Sequence, residues 1–351
     1  MEPRKVQKVG YSTLSVSLPI KWTKKVGIQK GDLVFISEES DGAIRMTAQK
    51  RKIADDVEYV VDVDQCDNTT VLERVIVGNY VLGRSLIRVE SNQRLKRKQI
   101  ESIRKVTHRL LGIGIIEESE HHLLLQCSID PKNFPLETIV DRLYKLTSIM
   151  FKETLDSIVN GDVELAKDAI TREYEADTIY WLLVRILSLA QQSRSVSESI
   201  GIVDSMDIVQ YSIIAWYLEM ICDRVNHIAS SVIRLQDICK WNKIDLIERV
   251  SHIGFITFNM FDRAFSSIFD GNLTTASDAV DMYDTIEHKE STLMKRLQNG
   301  SRLELSGIVS EILWDLDIIA EHSSAIAEIA IDIILKGENN YCHAKKVLTA
   351  K

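Results

Sequence analysis

The chain has 351 residues, 45% of them hydrophobic, and a formal net charge of −8. That length and apolar content exclude a disordered chain and allow two or three packed domains. No apolar run reaches the length of a membrane span and Met1–Lys8 leads into no apolar signal segment, so a cytoplasmic protein without membrane insertion is expected.

Residues 1–52 carry eleven Lys and Arg against five acids, a balance of +6, which leaves −14 on the rest of the chain. A small basic head on a large acidic body points to a polyanion as partner of the head and cations as partners of the body. In the head, "STLSVSLP" alternates, with Leu14, Val16 and Leu18 on one face of a strand. "IKWTKKVGI" reads as one short helix closed by Gly27. "DLVFISEESDGAIRMTAQ" gives two strands around the turn Asp41-Gly42. A segment this short cannot bury a core alone, so a homodimer or higher homo-oligomer is expected.

Gly10, Leu18-Pro19, Trp22, Gly27-Ile28, Gly31-Asp32-Leu33-Val34 and Asp41-Gly42 resemble the AbrB/MazE/SpoVT-type domain. The resemblance implies a dimeric β-barrel of swapped hairpins whose basic face binds DNA. The spacing from Gly10 to Pro19 is longer than in the transition-state regulators of that family, so the loop that touches DNA differs. Arg4, Lys5, Lys8, Lys21 and Lys24 are the candidate DNA contacts.

Residues 53–135 read as a small α/β domain. "VEYVVDVD", "SLIRVES" and "HHLLLQCSI" are strands; "TTVLERVIVGNYVLG" and "LKRKQIESIRKVTHRLLG" are helices. The second helix is basic (Arg94, Lys96, Arg97, Lys98, Arg104, Lys105, Arg109) and reads as the solvated face of a helix packed on a sheet, with a second nucleic-acid contact as the alternative. Glu117, Glu118, Glu120, His121 and His122 read as a polar turn, because adjacent strand residues face opposite ways. Five scattered cysteines (Cys66, Cys127, Cys222, Cys239, Cys342) contain no C-x-x-C and read as reduced thiols.

Residues 136–351 lack proline and show long 3.6-residue periodicity broken at Asn160-Gly161, Asp270-Gly271 and Asn299-Gly300, the pattern of a helical bundle. The region repeats itself. Residues 149–170 align with 259–280 at an offset of 110, and 218–229 with 316–327 at an offset of 98. Two three-helix units, about 140–236 and 248–338, are expected. The alignment lays Glu219 over Asp317 and Asp223 over Glu321, so an acid-x-x-x-acid pair recurs. Glu173 and Asp177 form another pair on the preceding helix; Asp177 aligns with Glu287, but Glu173 aligns with Tyr283.

Four carboxylates brought within about 5–6 Å cost roughly 3 kcal/mol per close pair at an effective dielectric near 20. Such crowding asks for a cation or protons.

These paired acids on two three-helix halves resemble PhoU, the regulator of phosphate uptake, over about residues 140–338. The resemblance implies multinuclear metal binding through Glu173, Asp177, Glu219 and Asp223 in one half and Glu287, Asp317 and Glu321 in the other. The tyrosine at 283 leaves the second set one acid short. Divalent or trivalent ions are implied, among them Mg, Mn, Ca, Fe and Zn. The overall expectation is a multidomain, mainly α protein: a dimeric swapped-hairpin β-barrel, a small α/β middle domain and a PhoU-like pair of three-helix bundles. Its expected function is a phosphate-responsive transcriptional regulator that binds DNA. The alternative is a PhoU-type adaptor for a phosphate transporter ATPase or a sensor kinase, with the head used only for dimerisation. A di-metal oxidase would need Glu-x-x-His inside the bundle, which "EHKE" and "AEHS" do not supply, and no nucleophile–His–acid set or phosphate loop occurs, so no enzyme is expected.

Overall fold

A computed structural model describes residues 3–38, 42–47, 57–238, 245–298, 303–337 and 339–342. The chain divides into two units, Met1–Val57 and Glu58–Lys351.

The first unit is two hairpins and a helix. β1 (Gln7–Val9) pairs antiparallel with β2 (Thr13–Ser15), α1 spans Ile20–Val26, and β3 (Phe35–Glu38) pairs antiparallel with β4 (Ile44–Thr47). α1 ends as the sequence requires: Gly27 takes φ 74°, the left-handed conformation that glycine adopts without a Cβ clash. The strand expected from Ser12 to Pro19 is shorter than its alternation suggests. Asp41 of the expected turn lies outside the described residues. None of the described residues in this unit whose exposure is known is buried, and Leu14, Ile20, Leu33, Ile36 and Ile44 are all largely exposed. A two-stranded hairpin without a hydrophobic partner is marginal in water.

The second unit opens with an α/β layer. β5 (Glu58–Asp62), α2 (Thr69–Val81), β6 (Leu86–Glu90), α3 (Arg97–Arg109), β7 (Ile113–Glu118) and β8 (His122–Cys127) form a sheet in the order β5-β6-β8-β7. β5 and β6 run parallel, joined through α2, and the other pairs are antiparallel. Leu72, Ile76 and Tyr80 of α2 and Ile103 and Val106 of α3 bury against Ile87, Val89, Leu123 and Leu125 of the sheet. β7 is a strand the sequence reading omits. It is an edge strand with a register irregularity near Ile116 and mostly exposed residues, so no buried face stamps an alternation on it. The polar turn is present, but only Ser119–His121 form it; Glu117 and Glu118 belong to β7.

Long helices follow: α4 (Leu136–Asn160), α5 (Val163–Gln192), the short α6 (Arg194–Ser199), α7 (Ser205–Ile238), α8 (Asp245–Asp270), α9 (Leu273–Gln298) and α10 (Leu303–Lys336). α4, α5 and α7 pack pairwise on one another, as do α8, α9 and α10. α4 and α7 also pack against α8 and α10, so both sets share one hydrophobic core. Where α4 meets α8, a Cβ on Gly254 would lie 2.4 Å from Leu155 Cδ2, so the glycine sets how closely these helices approach. The corresponding turns are built alike. Gly161 (φ 68°) ends α4 and the Asp162 carboxylate accepts from the N–H groups of Glu164 and Leu165; Gly271 (φ 61°) ends α8 and Asn272 accepts from Thr275 N–H. Asn299-Gly300 lies outside the described residues. α6 and its flanking turns accommodate the twelve residues by which the two sequence offsets differ.

The α/β layer sits on α5. Arg185, 1% exposed, donates from Nη1 to the carbonyls of Tyr80 (2.5 Å) and Arg84 (3.0 Å), and Gln192 donates to Leu82 O (3.1 Å). Gly83 (φ 83°) lets this turn lie flat on the helix, since a Cβ there would meet Leu189 at 2.6 Å.

Candidate functional site

Antiparallel packing of α5 and α7 faces Glu173 and Asp177 with Glu219 and Asp223. All four expected acids of the first half influence one another electrostatically. Asp177 is buried and the other three are half-buried. Glu219 turns one carboxyl oxygen toward the Asp177 carboxyl. Burial and then the Asp177 charge push the Glu219 carboxyl well above the usual carboxylate range. Burial, then the Asp177 charge, also raises Glu173 and Asp223. The remaining oxygen of Glu219, Oε2, is buried with no hydrogen-bond partner, and so is Asn226 Oδ1. Behind the helix face, burial and the cluster's negative charge hold the buried Cys222 thiol well above its ordinary value, so it stays a thiol and is no thiolate ligand. His227, exposed and 3.9 Å from Asp315, and Arg224 both oppose the upward push on Asp223.

The patch does not stand open to solvent on all sides. It is met by the α/β layer: Arg109 Nη2, at the C-terminal end of α3, donates to Asp177 Oδ2. Other basic residues of that segment also face acids, with Arg104 on Glu118 (2.6 Å), Arg97 on Glu101 (2.7 Å) and Arg94 near Glu120 (3.8 Å). These pairs favour the solvated, sheet-packed helix over a second nucleic-acid contact.

The second half gathers Glu287 on α9 and Asp317 and Glu321 on α10. Burial raises Asp317, followed by Glu287 and Glu321, and the Tyr283 hydroxyl donates to it. Asp317 Oδ1 is buried with no hydrogen-bond partner. A fourth acid, missed in the sequence reading, completes this set: Glu290, raised to about 7 by burial, then Asp317, then Glu287. The offset of 110 contained the signal. It lays Glu290 over Tyr180 just as it lays Tyr283 over Glu173. Acid and tyrosine have exchanged places between the halves, two helical turns apart on one face. Tyr180 in turn is raised to about 12, by burial first and then Glu219 and Asp223, so it too borders its cluster.

Among the described residues, no group of three or more His, Cys, Asp or Glu side chains converges closely enough to enclose a metal ion as it stands. The donor chemistry nonetheless fits a hard cation. The acids supply only oxygen, and the buried oxygens without partners, Glu219 Oε2 and Asp317 Oδ1, occupy equivalent places in the repeat.

In the head, Arg4, Lys5 and Lys8 lie before and on β1, and Lys21 and Lys24 lie on α1; all five are exposed. Of the cysteines, Cys66, Cys127, Cys222 and Cys342 are free, and Cys239 lies outside the described residues. No helix among the described residues is long and apolar enough to cross a membrane.

Comparison with known proteins bears on both ends of the chain. No curated protein matches it. Among the solved structures that align with part of it are two PhoU proteins. The phosphate transport system regulatory protein PhoU from Streptococcus pneumoniae is 16% identical, with 56% of this chain and 92% of that one covered and a TM-score of 0.48. PhoU from Pseudomonas aeruginosa is 19% identical, with 59% and 98% covered and a TM-score of 0.48. The PhoU domain family matches residues 140–232, the first set of long helices. The family described as antidote-toxin recognition MazE, bacterial antitoxin, matches residues 7–54. The chain thus carries one segment that the MazE family model matches near its N-terminus and another that the PhoU domain model matches, the two families that its sequence resembles.

Proposed function

We propose that the protein is a phosphate-responsive transcriptional regulator whose head dimerises and binds DNA and whose helical body takes up metal ions. The observation that carries this reading is the union of a PhoU domain with a basic MazE-type segment that buries none of the described residues of known exposure. Such a segment gains a core only from a second copy, and interlacing the hairpins of two chains supplies it. Dimerisation doubles the +6 charge of the head, and Arg4, Lys5, Lys8, Lys21 and Lys24 are exposed for phosphate contacts.

In the body, Glu173, Asp177, Glu219 and Asp223 would hold metal in one half, and Glu287, Glu290, Asp317 and Glu321 in the other. A bound di- or trivalent ion supplies positive charge that offsets carboxylate crowding. The residues' own part is to present oxygen ligands and, at Glu219, to give up the proton that burial and its neighbours favour there. The test is DNA selection with the full-length protein, with and without metal and phosphate. Steep salt dependence and loss of binding in Lys21→Glu with Lys24→Glu, the dimer remaining intact, are the expected results. A monomeric protein would refute the dimer assignment.

The adaptor reading is favoured by a different observation. Trp216 and Trp314 are 55% and 63% exposed and occupy the same place in the repeat, at the offset of 98. Exposed tryptophans are typical anchors for a protein partner. A body that binds a transporter ATPase or a sensor kinase through them, with no DNA affinity in the head, would replace the first reading.

A further inference from the structure

The two acidic clusters differ in what faces them. Arg109 of α3 stands against the first cluster with Nη2 on Asp177, its Nε buried without a hydrogen-bond partner and its guanidinium 5.6 Å from the centre of the Tyr174 ring. Its charge acts on a second member too, since it opposes the upward push on Glu173. Around the second cluster, the described residues that act on Asp317 and Glu290 are acids and Tyr283, and the half-buried His322 borders Glu321.

We propose that Arg109 is a built-in cation of the first cluster. Metal then fills the Asp317 side first and reaches the Glu219 side only by displacing Arg109 from Asp177. This rests on the metal reading above and adds which residue ranks the two sites and what the ranking controls.

Two consequences follow from the geometry. An arriving ion meets one carboxylate already engaged and one positive charge already in place, so its affinity for the first cluster is reduced. Arg109 also belongs to the α/β layer, and its departure frees the C-terminal end of α3 from α5. The layer is not released with it. Arg185 holds the Tyr80–Arg84 turn from a position eight residues along α5, about 12 Å away. Metal in the first cluster therefore loosens one edge of the layer while the other stays clasped, which turns cation occupancy into a movement of the α/β layer.

The experiment is a calorimetric titration of the chelator-treated full-length protein with Mn²⁺. It compares the unaltered chain, Arg109→Gln, Arg109→Lys, and Asp317→Asn with Glu321→Gln. The unaltered chain is expected to show a tight step and a weak step. The Asp317/Glu321 variant should keep only the weak one. Arg109→Gln should tighten the weak step roughly ten- to hundred-fold, the equivalent of one charge-assisted hydrogen bond, while Arg109→Lys keeps it weak. A second readout needs no variant: hydrogen exchange at residues 106–110 should accelerate when the weak step fills and not when the tight one does. Two steps unmoved by Arg109→Gln, or exchange that does not respond to the weak step, overturn the role of Arg109 while the metal reading stands. No Mn²⁺ binding in any of the four proteins overturns both.

Discussion

Glu290 offers the sharpest test of the acidic clusters, because its proton equilibrium is displaced into a convenient window. Its carboxyl moves from an ordinary value of 4.5 to about 7, chiefly by burial. Between these two pH values the unfolded chain has released this proton and the native protein still holds it. The native state then binds more protons, so stability falls as pH rises through the window and levels off above about 7. The displacement is worth at most about 3 kcal/mol, and the half-exposed position discounts this to about 1–2 kcal/mol. Gln mimics the neutral acid. Glu290→Gln should therefore equal the parent at pH 4 and exceed it by about 1–2 kcal/mol at pH 8 in the presence of chelator. Urea denaturation at the two pH values, monitored by circular dichroism, reads both numbers. Adding Mn²⁺ at pH 8 should reverse the order, since the parent keeps a ligand that the variant has lost. A variant no more stable than the parent at pH 8 would show that neither burial nor the neighbouring acids displace the Glu290 proton equilibrium, and Glu290 would drop out of the second cluster.

Other predictions address the supporting structure. Arg185→Met leaves the Tyr80 and Arg84 carbonyls without their buried donor; a loss of about 2–4 kcal/mol is expected, with fast hydrogen exchange confined to the 80–85 turn as the distinguishing sign. Gly254→Val pushes α8 away from Leu155 and should cost about 1–3 kcal/mol in thermal melts, whereas the same change at the exposed Gly307, where a Cβ meets nothing, should cost much less. Gly161→Ala places a Cβ at φ 68° and should cost about 1 kcal/mol. Glu219→Gln with Asp223→Asn should weaken Mn²⁺ binding and slightly raise the stability of the metal-free protein, because burial and mutual repulsion oppose the charged forms of both residues. Equal metal content in that double variant would refute the first cluster.

Sequence alone determined the elements whose signals are local or repeated. Gly27, Gly161 and Gly271 end helices because only a residue without a Cβ turns left-handed at no cost. The acid pairs could be placed on facing helices because 3.6-residue periodicity fixes a face and the two offsets fix the partner. Even Glu290 was legible, since the same offset that exposed Tyr283 as a missing acid carries Glu290 over Tyr180. Only the tertiary structure decided what covers the clusters. Nothing in "VTHRLLG" distinguishes Arg109 from the basic residues around it, and the edge strand β7, absent from the sequence reading, leads away from that helix end. Arg109 meets Asp177 because the Tyr80–Arg84 turn docks on α5 through Arg185, and a contact across 68 residues depends on that docking. Periodicity reports which face of an element is apolar; it does not report which element will lie against it.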